Sequence, residues 1–233
     1  MTDRTSVVDW TAAGQDLWQR GHHLTPALLT PDECRATAAL YDDDARFRSR
    51  IDMARYRFGS GEYKYFARPL APIVQSLRES IYPHLAPIAN AWWEALGEPA
   101  RFPGTLDGLL ASCEKHGQTR PTPLLLKYVE GDYNCLHQDL YGDVYFPLQV
   151  AVFLSEPGVD YTGGEFLLVE QRPRAQSAGE VIVPAIGQAV IFTTRIRPSR
   201  GAKGYYRVQM RHGVSRLRSG TRFTLGIIFH DAT

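Results

Sequence analysis

The feature that most constrains the fold is a change in hydrophobic period near Pro121. Beyond it, short β-rich runs alternate with turn residues, and no helical pattern separates them. The runs are Leu124–Val129, Leu148–Leu154, Glu165–Glu170, Glu180–Val183, Ala189–Thr193, Tyr205–Arg211 and Thr221–Phe229. Many short strands with glycine and proline turns are typical of all-β architectures. The pattern therefore predicts an antiparallel sandwich or jelly roll.

The sequence before this point has a largely helical pattern from about Val7 to Leu96. Thr30-Pro31-Asp32-Glu33 combines a capping threonine, a proline in the first turn and a glutamate at the reciprocal position, so it predicts the start of a helix. A second helical stretch begins at Ile73 and continues beyond Pro83 to Leu96. These helices favour a helical layer that packs against the predicted sheet.

Between the two helical stretches lies a glycine-rich turn, Gly59-Ser60-Gly61, flanked by alternating aromatic residues. The flanking segments are Arg55-Tyr56-Arg57-Phe58 and Glu62-Tyr63-Lys64-Tyr65-Phe66. Alternating aromatics on both sides of a glycine turn are typical of a β-hairpin. We expect this hairpin to contribute Arg55, Tyr63 and Tyr65 to a substrate site.

The chain length favours one domain over residues 1–233, mainly β with N-terminal helices in an α+β arrangement. Residues 1–110 would form the helical support and the hairpin, and residues 121–231 the β core. A hydrophobic content of 44% with 22% charged residues is ordinary for a soluble globular protein. The sequence has no apolar run long enough to cross a bilayer and no signal-peptide core, so we expect a cytoplasmic protein.

Three cysteines, Cys34, Cys113 and Cys135, lack the spacing of a zinc site and are odd in number. They predict neither a disulfide framework nor a structural zinc, and we interpret them as reduced thiols. For Cys135, a packed thiol is favoured over a metal ligand.

The tripeptide His137-Gln138-Asp139 is the strongest candidate for chemistry. In a strand, residues i and i+2 face the same side, so His137 and Asp139 can meet one metal ion if Gln138 points away. Two histidines and one carboxylate on one face of a metal leave open positions, which is the geometry of non-haem Fe(II) oxygenases. The tripeptide therefore predicts a metal site that requires one further histidine.

His212 and His230 are the rival third ligands, among seven histidines in the chain. His212 is favoured because a strand that begins Thr221-Arg222-Phe223-Thr224 follows it, whereas no basic residue follows His230. Arg222 and Thr224 share a face by the two-residue period. Such a pair can hold a carboxylate, with the guanidinium bidentate and the hydroxyl adding one hydrogen bond.

These residues resemble the Fe(II)/2-oxoglutarate-dependent dioxygenases, with a His212-to-Arg222 interval similar to that of prolyl hydroxylases. Longer segments are similar to a bacterial subfamily described as oxygenases acting on alkylation-damaged DNA. The matching segments are Lys127–Asp139, Thr162–Phe166, Glu170–Arg174, Tyr206–Val208 and Arg211–Ser215. The resemblance is specific and covers most of the chain from Phe58 to Asp231.

The resemblance implies a double-stranded β-helix in which His137, Asp139 and His212 bind Fe(II). It implies 2-oxoglutarate and dioxygen as cosubstrates, with ascorbate as a reductant. Arg222 would bind the distal carboxylate of 2-oxoglutarate, assisted by Thr224 and Tyr128. Prolyl hydroxylases carry a tyrosine three residues before the first ligand. Asn134 stands there in this chain and Tyr133 precedes it, so both stay candidates for contact with the cosubstrate.

The substrate is indicated only by charge. The net charge is +1, but no acidic residue occurs between Val181 and His230, where Arg197 and Arg200 belong to a basic stretch. Such a stretch either lines the site as a phosphate-attracting rim or lies on solvated strand faces. The first arrangement favours oxidative demethylation of an alkylated base in nucleic acid. The alternatives are hydroxylation of a protein side chain or small molecule, and a non-enzymatic binding module.

Overall fold

The computed structural model describes residues 4–99 and 101–233. Four α-helices are present in these ranges: α1 Trp10–Arg20, α2 Pro31–Ala39, α3 Pro72–Ala95 and α4 Leu106–Lys115. Short 3-10 helices cover Arg4–Val7, Leu40–Asp42, Asp44–Arg46 and Met53–Tyr56. None of the described helices is long and apolar enough to span a membrane.

Fourteen strands follow one another along the described chain. They are β1 His22–Leu24, β2 Phe47–Asp52, β3 Gly59–Ser60, β4 Glu62–Phe66, β5 Leu124–Val129, β6 Tyr133–His137, β7 Leu148–Phe153, β8 Tyr161–Gly163, β9 Phe166–Gln171, β10 Ala178–Ile182, β11 Ala189–Thr193, β12 Ile196–Gly201, β13 Gly204–Val214 and β14 Leu217–Ile227. All seven predicted strands are present, with ends shifted by a few residues.

The strands form two antiparallel sheets. An eight-stranded sheet has the order β1-β11-β7-β14-β5-β4-β2, with β8 paired to β14. A six-stranded sheet has the order β10-β9-β13-β6-β3, with β12 paired to β13. This is the predicted jelly roll, in which neighbours in a sheet are distant in sequence. β14 lies between β5 and β7, so both of its edges are paired and its side chains are held firmly.

The alternation of side chains along β7 separates two apolar layers. Val150 and Val152 pack on the helical side, in a core that includes Leu77 of α3. Ala151 and Phe153 point to the opposite face, where they pack with residues of β9 and β11 such as Phe166. Every residue of β7 is buried, because the strand lies between the helices and the second sheet. The space between the two sheets is where the candidate site lies.

The N-terminal helices begin where the sequence indicates. Thr30 and Glu33 form the reciprocal capping box at the start of α2, with the Thr30 side chain accepting from the Glu33 N–H. The α3 helix runs through Pro83 as one element. The N-terminal part of the chain is nevertheless not only helical support, because β1, β2 and β4 extend the eight-stranded sheet.

The predicted hairpin around Gly59-Ser60-Gly61 is wrong. β4 pairs with β2 rather than with residues 55–58, and part of the latter segment lies in the 3-10 helix Met53–Tyr56. Gly59 and Ser60 pair with β6 in the other sheet. Gly59 has φ +134°, and a Cβ there would clash with the carbonyl oxygen of Tyr133. The glycine turn therefore passes the chain from one sheet to the other instead of reversing it.

Arg197 is also placed differently from the predicted basic rim. It is 1% exposed, and its guanidinium forms an ion pair with Glu170 of β9. The same group donates a hydrogen bond to the carbonyl oxygen of Trp18 at 3.1 Å, which ties β12 to α1. Arg200 lies on the surface, as expected of a rim residue. Arg197 is therefore a buried structural cation and is removed from the candidate substrate contacts.

We predict that Arg197→Ala lowers the free energy of unfolding by about 2 kcal/mol, because it removes a buried guanidinium with its bonds to Glu170 and to the Trp18 carbonyl oxygen and leaves Glu170 paired with Arg172 alone. Arg200→Ala is the matched control and should change it by less than about 0.5 kcal/mol, as expected for an exposed residue. Urea denaturation followed by circular dichroism measures both values. Equal stabilities for the two variants would contradict the structural role of Arg197.

Candidate active site

The structure brings His137, Asp139 and His212 together between the two sheets. His137 is the last residue of β6 and His212 lies in β13, and their Cα atoms are partners across the strand pair. Asp139 follows two residues after β6, and its carboxylate lies 3.4 Å from His137 Nε2 and 3.1 Å from His212 Nε2. One ligand atom from each residue falls within 4.8 Å of the others. These atoms can hold one metal ion.

The hydrogen bonds around His137 favour metal binding through Nε2. Its Nδ1 lies 2.8 Å from the carbonyl oxygen of Cys135, which can only accept, so Nδ1 carries the proton and Nε2 has a free lone pair. Gln138 points away from the metal ligands, as predicted, and its amide donates to the carbonyl oxygen of Met210 at 2.8 Å. This bond joins the segment after β6 to β13.

The electrostatics of the cluster suit a carboxylate beside two imidazoles. Burial alone would raise the pKa of Asp139, but His212 and His137 together hold it well below its usual range. Burial, followed by the charge of His137, lowers the pKa of His212 and favours the neutral form that can bind a metal. For His137, burial lowers the pKa but the bond to Asp139 outweighs it, and the net direction is upward.

A β-bulge in β6 determines which neighbours of His137 face the cavity. His212 is opposite His137, but Val214 is opposite Asn134, so two residues of β6 stand against Gly213 alone. The extra residue reverses the two-residue alternation, and Asn134 lines the same cavity as His137. Cys135, which shares parity with His137 by sequence, is exposed instead.

The bulge also separates the two candidates that sequence leaves open. Asn134 lines the cavity, and its amide donates to the Tyr128 hydroxyl at 3.3 Å. Tyr133 is outside the cavity lining, and the guanidinium carbon of Arg216 covers its ring at 4.4 Å from the ring centroid. Tyr133 is therefore placed as a contact of Arg216, and of the two residues only Asn134 faces the cavity.

Arg222 is a buried cation with no anion. It is 1% exposed, and none of its three guanidinium nitrogens has a hydrogen-bond partner among the described residues. The rings of Phe153 and Tyr128 lie 5.0 and 5.5 Å from the guanidinium carbon. The Thr224 hydroxyl, one inward-facing position further along β14, is also buried and without a partner. A buried charge is costly unless it is paired, so this group of donors indicates a missing anion.

The metal ligands and Arg222 line one cavity of about 270 Å³. Its wall is mostly apolar and includes Phe166, Phe192 and Leu126. Two polar groups in it were not predicted from sequence. The amide nitrogen of Gln149 is buried without a partner among the described residues, and Tyr141 donates to the Asp139 carboxylate at 2.9 Å. Tyr141 follows Asp139 by two residues, which is the only sequence signal that could have indicated it.

His230, the rival third ligand, is not part of the cluster. It is fully buried, and its Nδ1 accepts the backbone N–H of Phe146 at 3.1 Å. Burial lowers the pKa of His230 to about 4. The three-residue group that could hold a metal ion contains His212 instead.

The remaining predicted substrate residues fall in three different environments. Arg55 is exposed on the 3-10 helix that precedes β3. Tyr63 lines the cavity and is partly buried. Tyr65 is only 8% exposed and lies behind the metal ligands, where its hydroxyl donates to that of Tyr141 at 3.2 Å. Tyr65 is therefore not positioned to contact a substrate.

The closed β-sandwich, with a His-Asp-His cluster and a buried arginine in one cavity, defines a non-haem Fe(II)/2-oxoglutarate-dependent dioxygenase. The sequence model of the Oxygenase-NA family, described as an oxygenase catalysing oxidative methylation of damaged DNA, matches residues 61–232. The chain belongs to this family. Fe(II), 2-oxoglutarate and dioxygen are the cofactor and cosubstrates of the enzyme class.

Other sequences and solved structures are similar to this chain over most of its length. Uncharacterized proteins from two strains of Mycobacterium tuberculosis are 54% identical over 167 residues, which cover 72% of this chain and 72% of each relative. A prolyl-4-hydroxylase from Pseudomonas putida superposes with a TM-score of 0.58 at 17% identity, covering 96% of this chain and 99% of that one. A 2OG-Fe(II) oxygenase family oxidoreductase from Burkholderia pseudomallei gives 0.57 at 14% identity, covering 96% and 92%. These structures confirm the double-stranded β-helix fold.

We predict that in the metal-free protein the pKa of His137 lies above 6.5 and that of His212 below it. Nuclear magnetic resonance titration of the imidazole protons measures both. In Asp139→Asn the carboxylate is replaced by a neutral amide, burial then dominates, and the pKa of His137 should fall. A His137 pKa that does not respond to this substitution would show that Asp139 does not interact with it.

Proposed function

We propose that His137, Asp139 and His212 bind Fe(II), and that Arg222 binds the distal carboxylate of 2-oxoglutarate. The observation that carries the proposal is the unpartnered Arg222 guanidinium in the same cavity as the three metal-ligand side chains. Thr224 would add one hydrogen bond to the carboxylate. Tyr128 and Asn134 complete the wall beside it, and burial raises the pKa of Tyr128 to about 12, which keeps its hydroxyl protonated as a donor.

When bound, iron, 2-oxoglutarate and dioxygen together supply the oxidising power to hydroxylate a C–H bond, with release of succinate and carbon dioxide. The residues of this chain provide position and a dry environment. The three ligands leave room for the cosubstrates, Arg222 fixes the far end of 2-oxoglutarate, and Phe166 and Phe192 exclude water from the metal side of the cavity.

We infer that the substrate is an alkylated base in nucleic acid. Hydroxylation of a methyl group on nitrogen gives a hemiaminal. Its C–N bond breaks with the electron pair left on nitrogen, the hydroxyl proton is transferred to the nitrogen, formaldehyde leaves, and the base is restored. The family description supports this class of substrate. The cavity also offers an apolar and aromatic wall, including Phe58 and Tyr63, that can receive a flat base taken out of its stack.

The surface beside the cavity supports the same substrate. Tyr56 and Phe58 are 55% and 46% exposed, and their rings stack with centroids 5.6 Å apart and planes 20° from parallel. Arg55 and Arg57 are exposed on the same segment, and the described residues place no carboxylate in an ion pair with either. The Phe58 carbonyl oxygen accepts from the Cys135 N–H at 2.8 Å, which fixes the segment to β6. We call residues 55–58 the aromatic-basic segment.

Exposed rings with exposed guanidinium groups fit single-stranded nucleic acid, since bases stack on aromatic faces and arginine binds phosphate.

Hydroxylation of a protein side chain is the second candidate function. The ten-residue interval between His212 and Arg222 and the prolyl-hydroxylase fold favour it. The two candidates share the metal site and differ only in what lies on the aromatic-basic segment.

The cosubstrate assignment predicts that Arg222→Met weakens 2-oxoglutarate binding by about 10-fold or more, since a hydrogen bond to a charged group contributes about 1.5–3 kcal/mol. Calorimetric titration of 2-oxoglutarate into the anaerobic Mn(II)-loaded protein measures it. Arg218→Met, at an exposed arginine of the same strand, is the matched control and should bind normally. Normal 2-oxoglutarate affinity in Arg222→Met would assign the carboxylate to another residue.

The metal assignment predicts that His137→Ala abolishes Fe(II)-dependent succinate formation.

The substrate assignment predicts that Arg55→Ala/Arg57→Ala weakens binding of a single-stranded methylated oligonucleotide. The salt dependence should also fall, by about one unit of slope for each phosphate that is no longer bound. Fluorescence anisotropy at several salt concentrations measures both. Arg35→Ala/Arg46→Ala removes the same charge away from the cavity and should bind normally. Formaldehyde release from the oligonucleotide is expected. Turnover of peptides with no response to oligonucleotides would instead favour the side-chain hydroxylase.

A further inference from the structure

Asp139 is the one metal-ligand candidate that the sheets do not hold in place. His137 and His212 lie in paired strands, so backbone hydrogen bonds fix their positions. Asp139 lies after the end of β6, in a segment without regular structure that extends to the start of β7 at Leu148. The orientation of its carboxylate must therefore be fixed by side chains.

Tyr141 supplies this restraint. Its hydroxyl donates to Asp139 Oδ1 at 2.9 Å, within the same irregular segment. The other carboxylate oxygen, Oδ2, lies 3.1 Å from His212 Nε2. The two oxygens thus have different partners: Oδ1 accepts a hydrogen bond from the phenol and lies 3.4 Å from His137 Nε2, whereas Oδ2 faces His212 and accepts nothing from the phenol.

A second tyrosine, Tyr65, forms a hydrogen bond with Tyr141 on the side away from the metal ligands. The Tyr65 hydroxyl donates to that of Tyr141 at 3.2 Å, and the two rings are nearly perpendicular at 88°. Tyr65 lies in β4 of the eight-stranded sheet, and the Arg48 guanidinium covers its ring at 4.5 Å. The chain of hydrogen bonds from Tyr65 through Tyr141 to the accepting carboxylate of Asp139 therefore connects the irregular segment to the sheet. Each bond in such a chain polarises the next and strengthens it.

We propose that Tyr141 is a positioning residue: by holding Asp139 Oδ1 it fixes the orientation of the carboxylate so that the metal binds through Oδ2, with Tyr65 as its support. This inference rests on the metal site of the proposed function. A carboxylate can bind a metal through one oxygen or two, and a second bound oxygen would occupy a position that the cosubstrates need. Hydrogen bonds to metal-binding side chains also set their affinity for the metal.

The test is Co(II) binding to the full-length protein, measured by anaerobic calorimetry and by the visible absorption of bound Co(II). In Tyr141→Phe we expect affinity to fall by about 10-fold, the lower end of the loss seen when such supporting groups are removed. We also expect the Co(II) bands to change in position or intensity, because the freed Oδ1 alters coordination. Tyr65→Phe should change both in the same direction and by less.

Tyr82→Phe is the matched control. It also removes a buried tyrosine hydroxyl, which donates to the Pro103 carbonyl oxygen at 2.7 Å, but it lies in α3 outside the cavity lining. It should leave Co(II) affinity and spectrum unchanged even if the thermal stability of the metal-free protein falls. An equal loss of Co(II) affinity in Tyr82→Phe and Tyr141→Phe would overturn the proposal, since the effect would then be a general loss of packing.

Wild-type affinity and an unchanged spectrum in Tyr141→Phe would also overturn it. If that variant does not fold, Tyr65→Phe decides, because it keeps Tyr141 and all three metal ligands, and unchanged Co(II) binding there refutes the supporting chain. Asp139→Ala separates this inference from the proposed function. If Asp139→Ala binds Co(II) like the wild type, the metal site itself is refuted, whereas loss of binding there with normal binding in Tyr141→Phe refutes only the role of Tyr141.

Discussion

The pairing of β6 with β13 is the constraint on which the site depends. It places His137 opposite His212, far along the chain, and it does so through backbone hydrogen bonds that do not depend on a metal. The bulge at the same place aims Asn134 inward and Cys135 outward. Because β13 also pairs with β9, where His212 stands opposite Leu168, the histidine position is fixed from both sides. The placement of the two histidines is thus a property of the sheet.

The other half of the site depends on β14. This strand is paired on both edges, so Arg222 and Thr224 cannot turn away from the cavity, and their unpartnered polar atoms remain directed into it. The surrounding rings of Tyr128, Phe153 and Tyr161 partly compensate the charge through their faces. Rings cannot replace an anion, however, because they do not accept the several N–H bonds that a guanidinium offers. The buried and unpartnered Arg222 guanidinium therefore lowers the stability of the folded protein.

Much of this architecture can be predicted from sequence, and the failures have identifiable causes. The strands of the core have strong periodicity, and the cap at Thr30 and the shared face of Arg222 and Thr224 follow from local rules. The turn at Gly59 is mispredicted because glycine permits a crossing between sheets as readily as a reversal. Asn134 cannot be assigned from sequence because a bulge reverses parity without a sequence signal. The burial of Arg197 is equally hidden, because its partner, Glu170, lies in another strand.

The location of Arg222 limits how well the proposed site can distinguish 2-oxoglutarate from succinate. A guanidinium in the cavity wall recognises a carboxylate and nothing else about the molecule that carries it. Succinate, the product, ends in the same group as 2-oxoglutarate. Selection of cosubstrate over product therefore has to occur at the metal end, where only the 2-oxo acid offers a second oxygen beside the carboxylate. In the proposed site, the distance between Arg222 and the metal ligands sets how long a dicarboxylate must be to reach the metal.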